Sequence, residues 1–428
     1  MPDGPTTKPR LRIGFVHRFD ARNIRSWSGT FYFMSQALES HVCYVVYLGP
    51  DESLGTKFII DNVARLNRIW LRLTGNILAT DHNRILSRRL GRFFERRLKE
   101  SPCDILFAPV ASVEIASLRT DLPIVYYTDI TWAAIVDYYP EFSEVSNFGR
   151  AEGERIEAAA IGRAKASVYP SDWAVDSACN HYGADPNTVF KISFGANLKD
   201  PPTRGIALRR SIQSRVNLLL VGVDWERKGG NIAHQCLLSL LDRGIDAQLT
   251  VLGCVPPAEF NHPKLRVIPF LNKNDPEQRK QISQLFLEAH FLLFPTRAEG
   301  LGIVTCEASA FGLPTIAADT GGVRGSLNDG VNGFLMPFEA PGQAYADKIA
   351  EVIAEPSRYA ALVLSSRDEF ESTLNWDVWG KSMRTVMEQV LNRPIDVEES
   401  STRSLSYPPA SVGEIDLTES LAAEVSRT

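Results

Sequence analysis

Residues 291–337 read FLLFPTRAEGLGIVTCEASAFGLPTIAADTGGVRGSLNDGVNGFLMP. An apolar run, Phe291–Pro295, enters a glycine-containing loop, and a helical pattern, Val304–Phe311, follows. Strand, loop and helix in that order aim free N–H groups and the positive helix end at whatever lies beyond the sheet. An anion gains about 0.3–1 kcal/mol per charge at an exposed helix start, and more where water is excluded. Gly300 and Gly302 lack side chains, so a phosphate can approach the backbone closely. Seven residues separate Glu299 in the loop from Glu307 in the helix. Helical side chains lean toward the N-terminus, so both carboxylates reach one rim. Carboxylates repel phosphate but accept paired hydrogen bonds from neighbouring hydroxyls. The stretch suits a ligand with hydroxyl-rich ends and an anionic middle, of which a nucleotide-sugar is one; a plain helix start decorated with acids is the alternative.

The same alternation extends outward along the chain. Arg10–Val16, His41–Leu48, Asp104–Val110, Pro123–Thr128, Ala166–Tyr169 and Thr188–Ser193 read as strands in the first half. Val216–Val221, Ala247–Leu252, Leu265–Ile268, Phe291–Pro295 and Pro314–Ala317 do so in the second. Helical patterns lie between them, among them Thr30–Leu38, Arg84–Lys99, Ala151–Arg163, Asn231–Asp242 and Gln278–Glu288. Apolar strands alternating with helices predict an α/β fold of parallel, doubly wound sheets covered on both faces. The series restarts near Arg215, after the Pro- and Arg-rich stretch 199–205. The expected organisation is a disordered start (1–9), a first domain (10–200), a linker (201–214), a second domain (215–374), a closing helix (375–392) and a disordered tail (393–428). Ligands of such folds sit beyond the carboxyl ends of the strands, here expected in a cleft between the domains.

Composition narrows the chemistry. Of 428 residues, 46 are Lys or Arg and 51 Asp or Glu, a net charge of −5 that argues against a general nucleic-acid partner. No apolar run reaches the length of a membrane span and no signal-peptide pattern opens the chain, so a cytoplasmic protein is expected. Six scattered cysteines without a C-x-x-C pattern agree with reduced thiols. No D-x-D grip, H-E-x-x-H spacing or G-x-S-x-G elbow occurs, and no metal site is expected. Gly380-Lys381-Ser382 imitates the end of a P-loop but lacks the first glycine, since position 375 is Asn.

Glu299-Gly300-Leu301-Gly302, Cys306-Glu307-Ala308, Gly312-Leu313-Pro314 and Thr320-Gly321-Gly322-Val323 together resemble the E-x7-E region of glycosyltransferase family 4. Asp329–Leu335 is similar to that family's DGxNGxL turn. The resemblance covers roughly residues 10–392, strongly in the second half. It implies the GT-B fold, two Rossmann-like domains facing each other across a cleft, and a retaining enzyme that uses a nucleotide diphosphate-sugar without a metal or other cofactor. By the same resemblance Glu299 contacts the transferred sugar and Glu307 the ribose hydroxyls. The backbone of Gly300, Leu301, Gly302 and Ile303 holds the diphosphate, and Thr320, Gly321 and Gly322 border the donor. Transfer is expected on the front face, the departing phosphate helping to accept the acceptor's proton.

Val221–Gly230 adds Arg227 and Lys228 just before a helix, where cations neutralise a leaving diphosphate. The family's usual Arg position holds Val223, and Arg227 is the candidate substitute. After the first strand, Ser28 and Gly29 stand where GT-B relatives place a loop against the donor, and an ordinary helix cap is the alternative. Asp129, preceded by Thr128 instead of the family's His, is the acceptor-side candidate. Residues 65–99 carry ten Lys or Arg against Asp81 and Glu95, with apolar residues at helical intervals. They read either as an ordinary solvated helix face or as a basic surface for anionic lipid at the inner face of a membrane. The expected partners are a nucleotide-sugar donor and a glycan or lipid-linked acceptor. Two other readings use the same pocket: a nucleotide-sugar epimerase of GT-B fold and a catalytically silent sugar-nucleotide binder.

Overall fold

The computed structural model describes residues 11–24, 26–78 and 80–395. Twelve strands form among them: β1 Arg12–Phe15, β2 Tyr44–Tyr47, β3 Ile105–Pro109, β4 Ile124–Tyr127, β5 Ala166–Tyr169, β6 Val189–Lys191, β7 Val216–Val221, β8 Ala247–Leu252, β9 Leu265–Ile268, β10 Phe291–Phe294, β11 Thr315–Ala318 and β12 Gly333–Met336. They build two six-stranded sheets, ordered β2-β1-β3-β4-β5-β6 and β12-β11-β10-β7-β8-β9. Every pairing is parallel. A parallel pair cannot close through a hairpin, so crossover segments cover the faces, and central strands such as β3, β4, β10 and β11 are buried along their full length.

The chain divides into two compact units. One runs through Tyr169, continues over Ala174–Ile192 and resumes at Gly380; the other comprises Pro170–Trp173 and Ser193–Trp379. The boundary near the C-terminus falls inside the helix Trp376–Leu391. Residues 201–214, expected to be a linker, instead pack on the second unit. Arg210 donates to the carbonyls of Phe286 and Phe311, Arg367 donates to that of Pro202, and Ala207 is buried. Helix C-termini and loop ends leave carbonyls without intrahelical donors, and these arginines supply them. The expected disordered start and most of the expected tail lie outside the described residues. Arg393–Ile395 are ordered: Ile395 is buried, its N–H donates to Glu388 Oε1 at 3.0 Å, and its carbonyl accepts from Arg384.

Each unit has its own core. In the first, the helix Arg84–Glu100 turns Leu86, Leu90 and Phe94 inward against Leu106 and Tyr126 of the sheet. In the second, the helix Gly230–Asp242 lays Ala233, Cys236, Leu237 and Leu240 against β7 and β8. The first core also holds an acid. Glu157, fully buried, accepts a hydrogen bond from the Tyr126 hydroxyl at 3.0 Å, and burial pushes its carboxyl up to about 7 from an ordinary 4.5. The folded protein therefore holds this proton more tightly than the unfolded chain, so stability falls as pH rises from about 4.5 to about 7. Glu157→Gln keeps a neutral, hydrogen-bonding side chain, and denaturant titrations across that range will show a flatter pH profile than the wild type.

Candidate active site

In the second sheet the chain leaves β7 toward β8 and β9 on one side, then returns to place β10 on the other. The loops after β7 and β10 therefore diverge, and the space between them is the usual ligand position of a doubly wound sheet. Two sets of sequence-chosen residues meet there. Lys228, from the loop after β7, forms an ion pair with Glu299, from the loop after β10. Arg227 Nη1 lies 3.7 Å from the same carboxylate and donates to the carbonyl of Ala298 at 3.1 Å. The loops are further joined by the N–H of Arg297 and the hydroxyl of Thr296, both bonded to the carbonyl of Arg227. Lys228 is 9% exposed, and its ammonium stands 4.9 Å above the centre of the Phe294 ring. Burial holds its pKa below the ordinary lysine value, with Glu299 pulling the other way. Val223, at the family's Arg position, is 67% exposed.

Glu307 has a different partner. It sits in the helix Ile303–Ala310, is 1% exposed, and pairs through Oε1 with Lys273 at 2.5 Å. Lys273 belongs to the loop that follows β9, and the sequence reading missed it. Its charge is unremarkable in sequence, and its acid is 34 positions away. The only sequence cue is its place two residues before Asp275, which caps the helix Pro276–Glu288.

The glycines shape the backbone of this rim. Gly302 caps the helix Ile303–Ala310 with φ +87°, and a Cβ there would stand 2.7 Å from Phe294 Cε1. The hydroxyl of Thr305 turns back to the carbonyl of Gly302 at 2.6 Å, and Ser326 Oγ reaches the carbonyl of Leu301 at 3.1 Å. After β11, the N–H of Gly322 bonds to the carbonyl of Glu299 at 3.0 Å, which ties the Thr320–Gly322 turn to the acid-bearing loop. A side chain at position 322 would fall on the carbonyl of Gly300. The Asp329–Leu335 motif is scaffolding: Asp329 accepts from the N–H of Leu335, while buried Asn332 binds Ser309, Ser326 and the N–H of Asn328.

Ser28, Gly29 and Asp129 belong to the first unit. Trp27, Ser28 and Gly29 are all left-handed, with φ of 47°, 56° and 90°, directly before the helix Thr30–His41. Ser28 and Trp27 are the unusual members, since left-handed backbone strains a residue with a Cβ. Trp27 packs on Phe31, and Phe31 on His17, two residues past β1. Asp129 follows β4. Sequence reasoning also missed a charged group in this unit. Arg18, after β1, pairs with Asp81, and its N–H donates to buried Glu114 at 3.3 Å. Arg18 holds the Asp81 carboxyl below its ordinary value, burial raises that of Glu114, and burial lowers His82 to about 4.

With this geometry in place, the comparisons with known proteins are specific. Residues 263–368, within the second unit, match the family described as glycosyl transferases group 1. The D-inositol 3-phosphate glycosyltransferase of Streptomyces bingchenggensis is 26% identical over 50% of this chain and 52% of its own. The chain spans about half the length of the curated relatives it matches. Among solved structures, sucrose-phosphate synthase from Thermosynechococcus elongatus superposes with a TM-score of 0.63 at 14% identity, covering 90% of this chain and 100% of that one. Anabaena HepE in complex with UDP-glucose gives 0.58 at 14% identity, covering 89% and 100%. The fold is GT-B, as the motifs implied, and within the second unit residues 263–368 match the group 1 family.

The Gly302 cap can be tested against a glycine that shares only its backbone. Gly330 has φ +75° with no atom within 4 Å of a built Cβ. Gly330→Ala should cost about 1–2 kcal/mol for the left-handed backbone. Gly302→Ala adds the collision with Phe294 and should cost about 1–3 kcal/mol more. Chemical denaturation of the two variants measures the difference.

Proposed function

We propose that the protein is a retaining glycosyltransferase that moves a sugar from a nucleotide diphosphate-sugar to a glycan or lipid-linked acceptor without a metal. The observation that carries this reading is the Lys228–Glu299 pair at the divergence of β7 and β10, beside the start of the helix Ile303–Ala310. The first turn of that helix offers amide N–H groups to a diphosphate. Lys228, held in low dielectric, gains a stronger counterion when the diphosphate arrives, and Glu299 is then released to accept hydrogen bonds from the sugar hydroxyls. Arg227 supplies the second cation in place of the family's Arg, whose position Val223 occupies. As the sugar–oxygen bond breaks, these cations and the amides stabilise charge growing on the leaving phosphate, the task a metal performs elsewhere. Glu307, neutralised by Lys273, keeps acceptor capacity for the ribose hydroxyls.

Support for the donor class comes from the names of relatives: one is a D-inositol 3-phosphate glycosyltransferase, and one structural neighbour holds UDP-glucose. Asp129, Ser28 and Gly29 remain acceptor- and donor-side candidates of the first unit. A cytoplasmic setting, with the six cysteines as free thiols, and contact of residues 65–99 with a membrane belong to the same proposal.

A thermal-shift screen of nucleotide-sugars, with magnesium and with EDTA, should give one stabilising donor class regardless of the metal. With that donor and an acceptor panel, Glu299→Gln and Lys228→Ala should each lower turnover by about 10²-fold or more. The fold persists in Lys228→Ala, because Arg227 still faces Glu299. Wild-type rates in both variants would sink the assignment. Conversion of the donor alone into a sugar isomer would favour the epimerase reading instead.

A further inference from the structure

The helix Leu54–Thr74 uses its apolar stripe in only one half. In the first turns Ile59 and Ile60 pack against the core of the first unit, and Arg89 donates to Ser53 Oγ at 3.0 Å. Beyond them the stripe continues as Leu66, Ile69, Trp70 and Leu73, the i, i+3, i+4, i+7 spacing of one helix face. No core receives these four: Leu66 is 55% exposed, Ile69 59% and Leu73 76%. A lone exposed leucine needs no explanation, but a contiguous apolar face does.

The charge distribution is the second observation. The chain is acidic as a whole, yet residues 65–99 hold ten Lys or Arg against two acids. Arg65, Arg68 and Arg72 lie on the flank and back of the projecting half-helix. On the neighbouring helix Arg84–Glu100, whose apolar side is already buried, Arg88, Arg92, Arg96 and Lys99 share one exposed face and form no ion pair among the described residues.

We propose that the projecting half of the helix Leu54–Thr74, with this cationic face, seats the first unit on an anionic lipid bilayer. The inference rests on the reading of residues 65–99 as a membrane contact and narrows it to two helix faces. The apolar side chains enter the headgroup level, and the arginines lie at the lipid phosphates. The helix lies on the bilayer and does not cross it, since no helix among the described residues is long and apolar enough to span. A second copy fits less well, because it sets two helix faces of the same positive charge side by side with no acid to balance them. An acidic protein matches the charge but leaves the aliphatic face without a role.

The test is co-sedimentation of the full chain with phosphatidylcholine vesicles, with and without phosphatidylglycerol. Binding should require phosphatidylglycerol and weaken in high salt. The combined variant Leu66→Ser, Ile69→Ser, Leu73→Ser should bind about tenfold more weakly or worse. Arg88→Gln, Arg92→Gln, Arg96→Gln should lose the preference for anionic lipid. All six positions are at the surface, so unchanged melting midpoints serve as the folding control. Undiminished binding by the serine variant, equal binding to neutral vesicles, or a concentration-dependent dimer that the serine variant abolishes would overturn the proposal. Vesicle binding without sugar transfer would count against the transferase reading alone, and transfer to a water-soluble acceptor without vesicle binding against the docking surface alone.

Discussion

A charge drawn into a low-dielectric rim needs an opposite charge beside it, and the Lys228–Glu299 pair meets that constraint with groups from two loops. Glu307 meets it with Lys273 from a third loop. The acids arise from one strand–loop–helix segment, while their lysines arrive after β7 and after β9. Each pair therefore fixes the position of one loop against another as well as cancelling charge. A buried pair such as Lys228–Glu299 adds little net stability, because desolvation offsets most of the attraction, and in the other pair Lys273 stays 42% exposed. Their value lies in placement, which the backbone bonds from Arg297 to Arg227 and from Gly322 to Glu299 reinforce.

Sheet order explains why the charged groups collect where they do. In the second sheet β7 has β8 on one side and β10 on the other; in the first, β1 has β2 and β3. Both arrangements split the loops at the carboxyl ends of a central pair of strands. Arg18 follows β1 and Glu114 follows β3, just as Lys228 follows β7 and Glu299 follows β10. Each unit thus keeps a cation–carboxylate contact at its own divergence, where buried polar groups would otherwise lack partners.

What could be read in advance divides along physical lines. The parallel sheets were legible because buried strands such as Phe291–Phe294 are apolar on both faces. Strand β12 was hidden: its four residues begin with a glycine inside the Asp329–Leu335 turn motif, too short a run to show a period. Glu299, Glu307 and Lys228 stand out because short local motifs hold them. Lys273 does not, nor does the Arg18–Asp81–Glu114 group, because their partners lie 34 to 96 positions away and only the fold joins them. The stretch 201–214 looks like a linker by composition, yet its Arg210 finds carbonyls that no local pattern reveals.

Gly322 bears on how this surface can vary. Its backbone is an ordinary one for any amino acid, with φ of −87°. What bars a replacement is the oxygen of Gly300, which already fills the volume a methyl group would need. Divergence at that site is thus closed by occupancy alone, and a change becomes tolerable only if the neighbouring turn retreats with it.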